Sequence, residues 1–175
     1  FFDGQAIMRK RAKYQKLRAP LQAKGTKSAK RRLKKLSGRE NRWISDVNHC
    51  LSKTLVQKYG ANTLFVLENL NGVSFERTDL PKALRNQNKS WAFYQLEQFL
   101  TYKAHLHNSE VVEVSAKYTS QRCPKCGVIK KDNRNHEKHE YHCDNCSYRS
   151  NDDRIGAMNI QLLGTQYISG QEQPK

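Results

Sequence analysis

The chain has 175 residues, enough for one compact domain with a small satellite, and its 32 Lys and Arg against 16 Asp and Glu give a formal charge of +16. So one-signed a balance argues against an acidic-surfaced metabolic enzyme and for polyanionic partners, because each phosphate neutralised releases condensed counterions. Hydrophobic residues make up 37%, a modest core, and the longest apolar runs, such as Leu64–Leu67, are too short to span a bilayer.

The first residue is Phe, not Met, and no charged-then-apolar leader follows. The expectation is a piece of a longer, cytoplasmic protein. Residues 1–42 hold fifteen Lys or Arg and only Asp3 and Glu40 as acids, so thirteen of the sixteen net charges sit in that block. Pro20 and Gly25 are expected to split it into two helical halves. The second half starts near Thr26 or Ser28, either of which can cap it. Leu36, Trp43, Val47, Cys50, Leu51 and Leu55 then recur at helical spacing to about Tyr59, which makes Cys50 a buried small hydrophobe. The first turns of this helix carry Lys30, Arg31, Arg32, Lys34 and Lys35, the expected nucleic-acid contacts.

Gly60 ends the helix, and Thr63–Leu67 reads as a strand buried on both faces, terminated by Glu68. Residues 71–89 are polar and contain proline, a loop. Ser90 can cap a helix bearing Trp91, Tyr94, Phe99, Leu100 and Leu106, and Glu110–Val114 is a second strand. Strand, helix, strand in this order predicts a parallel crossover in an α/β fold.

Cys123-Pro-Lys-Cys126 and Cys143-Asp-Asn-Cys146 follow, with sixteen residues between them, the spacing of a zinc ribbon. Two residues between thiolates let one tight turn aim both sulfurs at one ion, and two such turns complete a tetrahedral shell of four sulfurs. Disulfides are the competing reading, disfavoured for a basic chain without a secretion signal. Four thiolates close the site, so the metal is structural. Gly127 suits the turn after Cys126, while Ser147 holds the same place in the second turn. His136, His139 and His142 read as solvated residues on the ribbon's strands. The ribbon, 118–150, is expected to be an insertion with its own core, followed by a short helix from near Asp152 to Leu163 and a polar, frayed tail from 165 to 175.

Glu68 closes a strand and Asp153 opens a helix. Ligands of open α/β sheets gather at the carboxyl ends of strands, and hard carboxylate oxygens there suit Mg²⁺ or Mn²⁺. Asp152 or Asp153 could equally cap the helix.

Val66-Leu67-Glu68-Asn69-Leu70 resembles the second RuvC motif of the TnpB (OrfB) proteins and type V CRISPR effector nucleases. Ser150-Asn151-Asp152-Asp153-Arg154-Ile155-Gly156-Ala157-Met158-Asn159-Ile160 resembles their third. Thr119-Ser120-Gln121-Arg122-Cys123-Pro124-Lys125-Cys126-Gly127 is similar to the opening of their zinc ribbon. Arg31-Arg32-Leu33-Lys34-Lys35-Leu36 followed by Asn48-His49 is similar to their basic helix. The resemblance implies an α/β, RNase H-like (RuvC) domain, incomplete at its N-terminus, with an inserted four-cysteine zinc ribbon. On this reading, 1–117 is the partial nuclease domain with the basic helices, 118–150 the ribbon and 151–164 the closing helix. Glu68 and Asp153 would be the second and third metal-binding acids. No G-[IV]-D-x-G motif supplies the first, and Asp3, in Phe2-Asp3-Gly4, is not assigned to it. The implied activity is metal-dependent cleavage of a DNA phosphodiester. The implied partners are guide RNA, target DNA and the upstream part of the same nuclease. The alternatives are a non-catalytic zinc-ribbon module that binds nucleic acid, a split fragment that needs a partner segment for the first Asp, and a strand-joining transposase.

Overall fold

The computed structural model describes residues 4–70 and 93–170. The expectations for Asp3, the loop 71–89, Ser90, Trp91 and the last five residues lie outside these. The chain divides into two compact units, one of residues 1–58 and 92–100, the other of residues 59–91 and 101–175.

In the first unit, α1 (Gln5–Lys24) and α2 (Lys27–Tyr59) carry the basic block. Pro20 does not break α1 as expected. It sits inside the helix, exposed, where its fixed φ is already helical and it forgoes one backbone hydrogen bond near the end. Gly25 makes the break instead, in the left-handed conformation (φ 61°) that a side chain would disfavour. Thr26 caps α2, its hydroxyl accepting the Ala29 N–H at 3.2 Å.

The buried row of α2 is Leu36, Glu40, Ile44, Asn48, Ser52 and Val56, one residue every four. Of the expected stripe Leu36 stands on this row and the rest lies beside it. Trp43, Val47, Leu51 and Leu55 are half-buried, and Cys50 is exposed rather than buried. Three polar residues stand on the buried row because each finds a partner there. Glu40 pairs with Arg18 of α1 at 2.5 Å, and the Ser52 hydroxyl donates to the Asn48 carbonyl at 2.8 Å. The Asn48 amide donates at 3.1 Å to Gln95 of α3 (Phe93–Leu106), whose first eight residues belong to this unit. Tyr14 stacks on Trp43 at 6.0 Å, and Lys10 lies 4.4 Å over the same indole. Arg11 is buried too. Its burial lowers its pKa, while the charge of Glu40 pulls the other way.

In the second unit, β1 (Leu64–Asn69) and β2 (Glu110–Ser115) pair in parallel, from Leu64 opposite Glu110 to Asn69 opposite Ser115. The parallel pairing expected from the sequence is present. Two details differ. Glu68 does not terminate β1 but lies within it, opposite Val114, and every residue of β1 is half-buried rather than sealed on both faces. Helix α4 (Asp152–Ile168) packs on both strands and runs five residues beyond the expected end at Leu163. Between β2 and α4, a short 3-10 turn (Lys131–Asn133) leads into the antiparallel strands β3 (Arg134–Asn135), β4 (Glu140–His142) and β5 (Arg149–Asn151). Strand β5 passes straight into α4. Among the described residues no helix is long and apolar enough to cross a membrane.

Candidate metal centres

The two cysteine turns have the same local hydrogen bonds. Cys123 N–H donates to Val128 O at 2.8 Å and Gly127 N–H to Cys123 O at 2.9 Å; Cys143 N–H donates to Tyr148 O at 2.9 Å and Ser147 N–H to Cys143 O at 2.8 Å. Gly127 (φ 77°) and Ser147 (φ 56°) take the same left-handed place, so the second turn keeps the geometry of the first without a glycine. Cys123 and Cys146 sulfurs lie 3.6 Å apart, Cys126 and Cys143 sulfurs 3.5 Å, and all four within 4.8 Å of one another. A disulfide requires about 2.05 Å. Four metal–sulfur bonds of about 2.3 Å in a tetrahedron put neighbouring sulfurs about 3.8 Å apart. The donor set therefore fits one thiophilic ion.

The thiols are electrostatically unequal. Cys126 is drawn down to about 6, chiefly by the Asn145 side chain and then by the Val128 backbone. For Cys146 the Tyr148 backbone pulls down, but burial and the three other sulfurs outweigh it and push the thiol up to about 12. One thiolate forms readily and suppresses the next, so a cation is what allows all four to ionise together. His136, His139 and His142 are exposed and stand outside the sulfur cluster, but only His142 lies on a strand; His136 and His139 fall in the turn between β3 and β4.

Cys123 and Cys143 are fully buried in one cluster with Tyr141 and Ile155. Ile155 belongs to α4. The expectation of a separate ribbon core is thus corrected, because the ribbon is too small to cover Tyr141 and borrows the closing helix to do so.

The acids occupy contrasting surroundings. Glu68 Oε1 accepts the Thr119 hydroxyl at 2.5 Å. Asp152 is buried. Its Oδ2 pairs with Arg134 Nε at 2.9 Å, and its Oδ1 lies 3.4 Å from His139 Nδ1. Burial pushes its pKa up, but the Arg134 bond and charge outweigh that and leave it below the ordinary carboxylate value. Asp153 is 63% exposed, 3.7 Å from Arg134 Nη2. Neither acid is the cap of α4. Asn151 is, its Oδ1 accepting from Asp153 N–H at 3.0 Å and Arg154 N–H at 3.2 Å. His139, Asp152 and Asp153 bring ligand atoms within 4.8 Å of one another; among the described residues Glu68 joins no such group of three. The sequence reading missed His139 and Arg134 as neighbours of the acids. Its available signal was the hairpin itself, which returns β5 beside the residues flanking β4.

Lys30, Arg31, Arg32, Lys34 and Lys35 are all exposed on the first turns of α2. Arg32 and Lys35 line an open groove with Arg39 over Leu17, Pro20, Leu21 and Leu36.

Residues 93–160 match the family model described as Cas12f1-like, TNB domain. A CRISPR-associated endodeoxyribonuclease Cas12f1 of Syntrophomonas palmitatica is 33% identical over 80% of this chain, and a TnpB-like protein of Methanocaldococcus jannaschii 30% identical over 73%. The chain spans 27% and 45% of the length of these relatives. A solved Cas12f1–sgRNA–target DNA complex matches at a TM-score of 0.65 over 91% of this chain and 42% of that chain, with 19% identity, a likeness of fold. In sequence the chain is related to the TnpB-like proteins and to the Cas12f1 type of CRISPR effector, and its fold is like that of the latter.

Proposed function

We propose that this chain is the C-terminal nuclease portion of an RNA-guided DNA endonuclease, an RNase H-like (RuvC) domain with an inserted zinc ribbon. The observation that carries the reading is the convergence of two elements on one parallel strand pair. Glu68 stands near the carboxyl end of β1, and α4, which presents Asp153 on its first turn, packs on β1 and β2. Asp153 is the acid left available, since Asp152 is buried against Arg134. Glu68 and Asp153 would hold Mg²⁺ or Mn²⁺ with a third acid from an upstream segment of the same nuclease. When bound, such ions supply an activated water and neutralise charge at the scissile phosphate.

Cys123, Cys126, Cys143 and Cys146 would hold Zn²⁺, which fixes the ribbon against α4 through Tyr141 and Ile155. The ribbon, taken as 118–150, would bear on the target strand. Lys30, Arg31, Arg32, Lys34 and Lys35 would grip guide RNA or target DNA by backbone charge, leaving sequence selection to guide pairing. The names of the relatives, one an endodeoxyribonuclease and one a TnpB-like protein, and the complex with sgRNA and target DNA support the substrate class. In an intact nuclease carrying this chain, Glu68→Ala and Asp153→Ala are each expected to abolish cleavage while guide and target binding persist. Cleavage retained by Asp153→Ala would overturn the assignment.

A further inference from the structure

Thr119 lies at the entrance to the ribbon and is buried, 5% exposed. Its hydroxyl hydrogen has two acceptors in reach, Glu68 Oε1 at 2.5 Å and Ala116 O at 3.2 Å. The bond to the Glu68 carboxylate is the shorter and takes the hydrogen. The Thr119 backbone is itself held. Asn159 of α4, 2% exposed, donates its side-chain amide to Thr119 O at 2.7 Å and to Arg122 O at 2.8 Å. Two carbonyl acceptors on one nitrogen fix the orientation of that amide, since turning it over would set oxygen against oxygen. A continuous path thus runs from β1 through Glu68, Thr119 and Asn159 to α4, the helix that also carries Asp153 about 9 Å back along its axis at 1.5 Å per residue.

We propose that Thr119 is a positioning residue for Glu68. Clamped by Asn159, its hydroxyl occupies one carboxylate oxygen and leaves the other to a divalent ion. This rests on Glu68 being a metal ligand. A carboxylate on β1 has free rotation about its last torsion unless something holds it. A hydrogen bond from a buried residue whose carbonyl is held by Asn159 removes that freedom before the ion arrives. Ligand carboxylates depend on such partners for affinity.

The test is Mn²⁺ binding to the zinc-loaded full chain, followed by electron paramagnetic resonance, for the wild type, Thr119→Val, Thr119→Ser and Glu68→Gln. Thr119→Val keeps shape and removes the hydroxyl; it is expected to weaken Mn²⁺ binding about tenfold. Thr119→Ser keeps the hydroxyl and loses the methyl; it is expected to bind as the wild type does. A residue needed only for packing gives the reverse order, serine weaker than valine, and that result overturns the proposal. Thermal melts of the variants identify any that fail to fold. Glu68→Gln is expected to weaken binding at least as much as Thr119→Val. Unchanged binding by Glu68→Gln refutes the metal reading of Glu68 itself. Weakened binding by Glu68→Gln with unchanged binding by Thr119→Val refutes only the positioning role.

Discussion

Gly164 of α4 and Val66 of β1 are in such close approach that a Cβ added at Gly164 would stand 2.3 Å from Val66 Cγ2 and 2.9 Å from Cγ1. Both methyls sit on a branched side chain with little freedom to retreat. The glycine is what lets the closing helix lie flat on the strand pair, with Leu163 and Gly164 both buried. Its cost in helix propensity is offset by the close packing it permits.

Gly164→Ala is therefore expected to destabilise the second unit by about 1–3 kcal/mol, the usual penalty of overpacking. Denaturant melts read this directly. Adding Val66→Ala to the same chain is expected to recover part of the loss, because the clash is between these two side chains. Strict additivity of the two changes would rule out that clash as the cause.

One Zn²⁺ per chain is expected by metal analysis of reduced protein. Cys143→Ser is expected to expose amides in the ribbon and in the first turns of α4 together, since Cys143 shares its core with Ile155. Hydrogen exchange confined to 118–150 would contradict the shared core.

Ser147 occupies a left-handed position that its counterpart Gly127 occupies without a side chain. Ser147→Gly is expected to stabilise the zinc-loaded ribbon by about 0.5 kcal/mol, a modest gain after the entropy glycine loses on folding. Gly127→Ala is expected to cost about 1 kcal/mol for the same reason in reverse. Competition with a chelator, measured on both variants, reports the two signs.

Asp152 and Asp153 are expected to separate stability from activity. Asp152→Ala removes the shorter, buried partner of Arg134 and leaves it only the exposed Asp153 at 3.7 Å, a loss of about 2 kcal/mol. Asp153→Ala removes an exposed carboxylate and is expected to stay within about 0.5 kcal/mol of the wild type. Thermal melts of the two variants distinguish them, and equal losses would remove the structural ground for preferring Asp153 as the available acid.

Replacing Lys30, Arg31, Arg32, Lys34 and Lys35 by Gln is expected to flatten the salt dependence of RNA and DNA binding, by roughly one unit of slope for each phosphate no longer neutralised. Circular dichroism should show α2 retained, because all five side chains are exposed. An unchanged slope would place the binding surface elsewhere.

Local chemistry was legible from the residues alone. The cysteine spacing defines two tight turns, Thr26 or Ser28 announces a cap, Pro20 and Gly25 a break between helices, and the apolar runs at 64–67 and 111–112 announce strands whose order implied parallel pairing. Each of these depends on neighbours a few residues away. The buried row of α2 was not legible in the same way. Glu40, Asn48 and Ser52 are polar, and apolar periodicity passes over them in favour of Cys50, which is exposed. They are buried because Arg18, Gln95 and a backbone carbonyl meet them, and two of those partners come from other helices. Ile155 likewise reads as an ordinary helix residue until the ribbon's Tyr141 and cysteines are folded against it. The Thr119–Glu68 bond spans 51 residues and the Asn159–Thr119 bond 40. A polar group can be buried only where a partner completes its hydrogen bonds, and which partner arrives is decided by the packing of distant elements rather than by any local pattern.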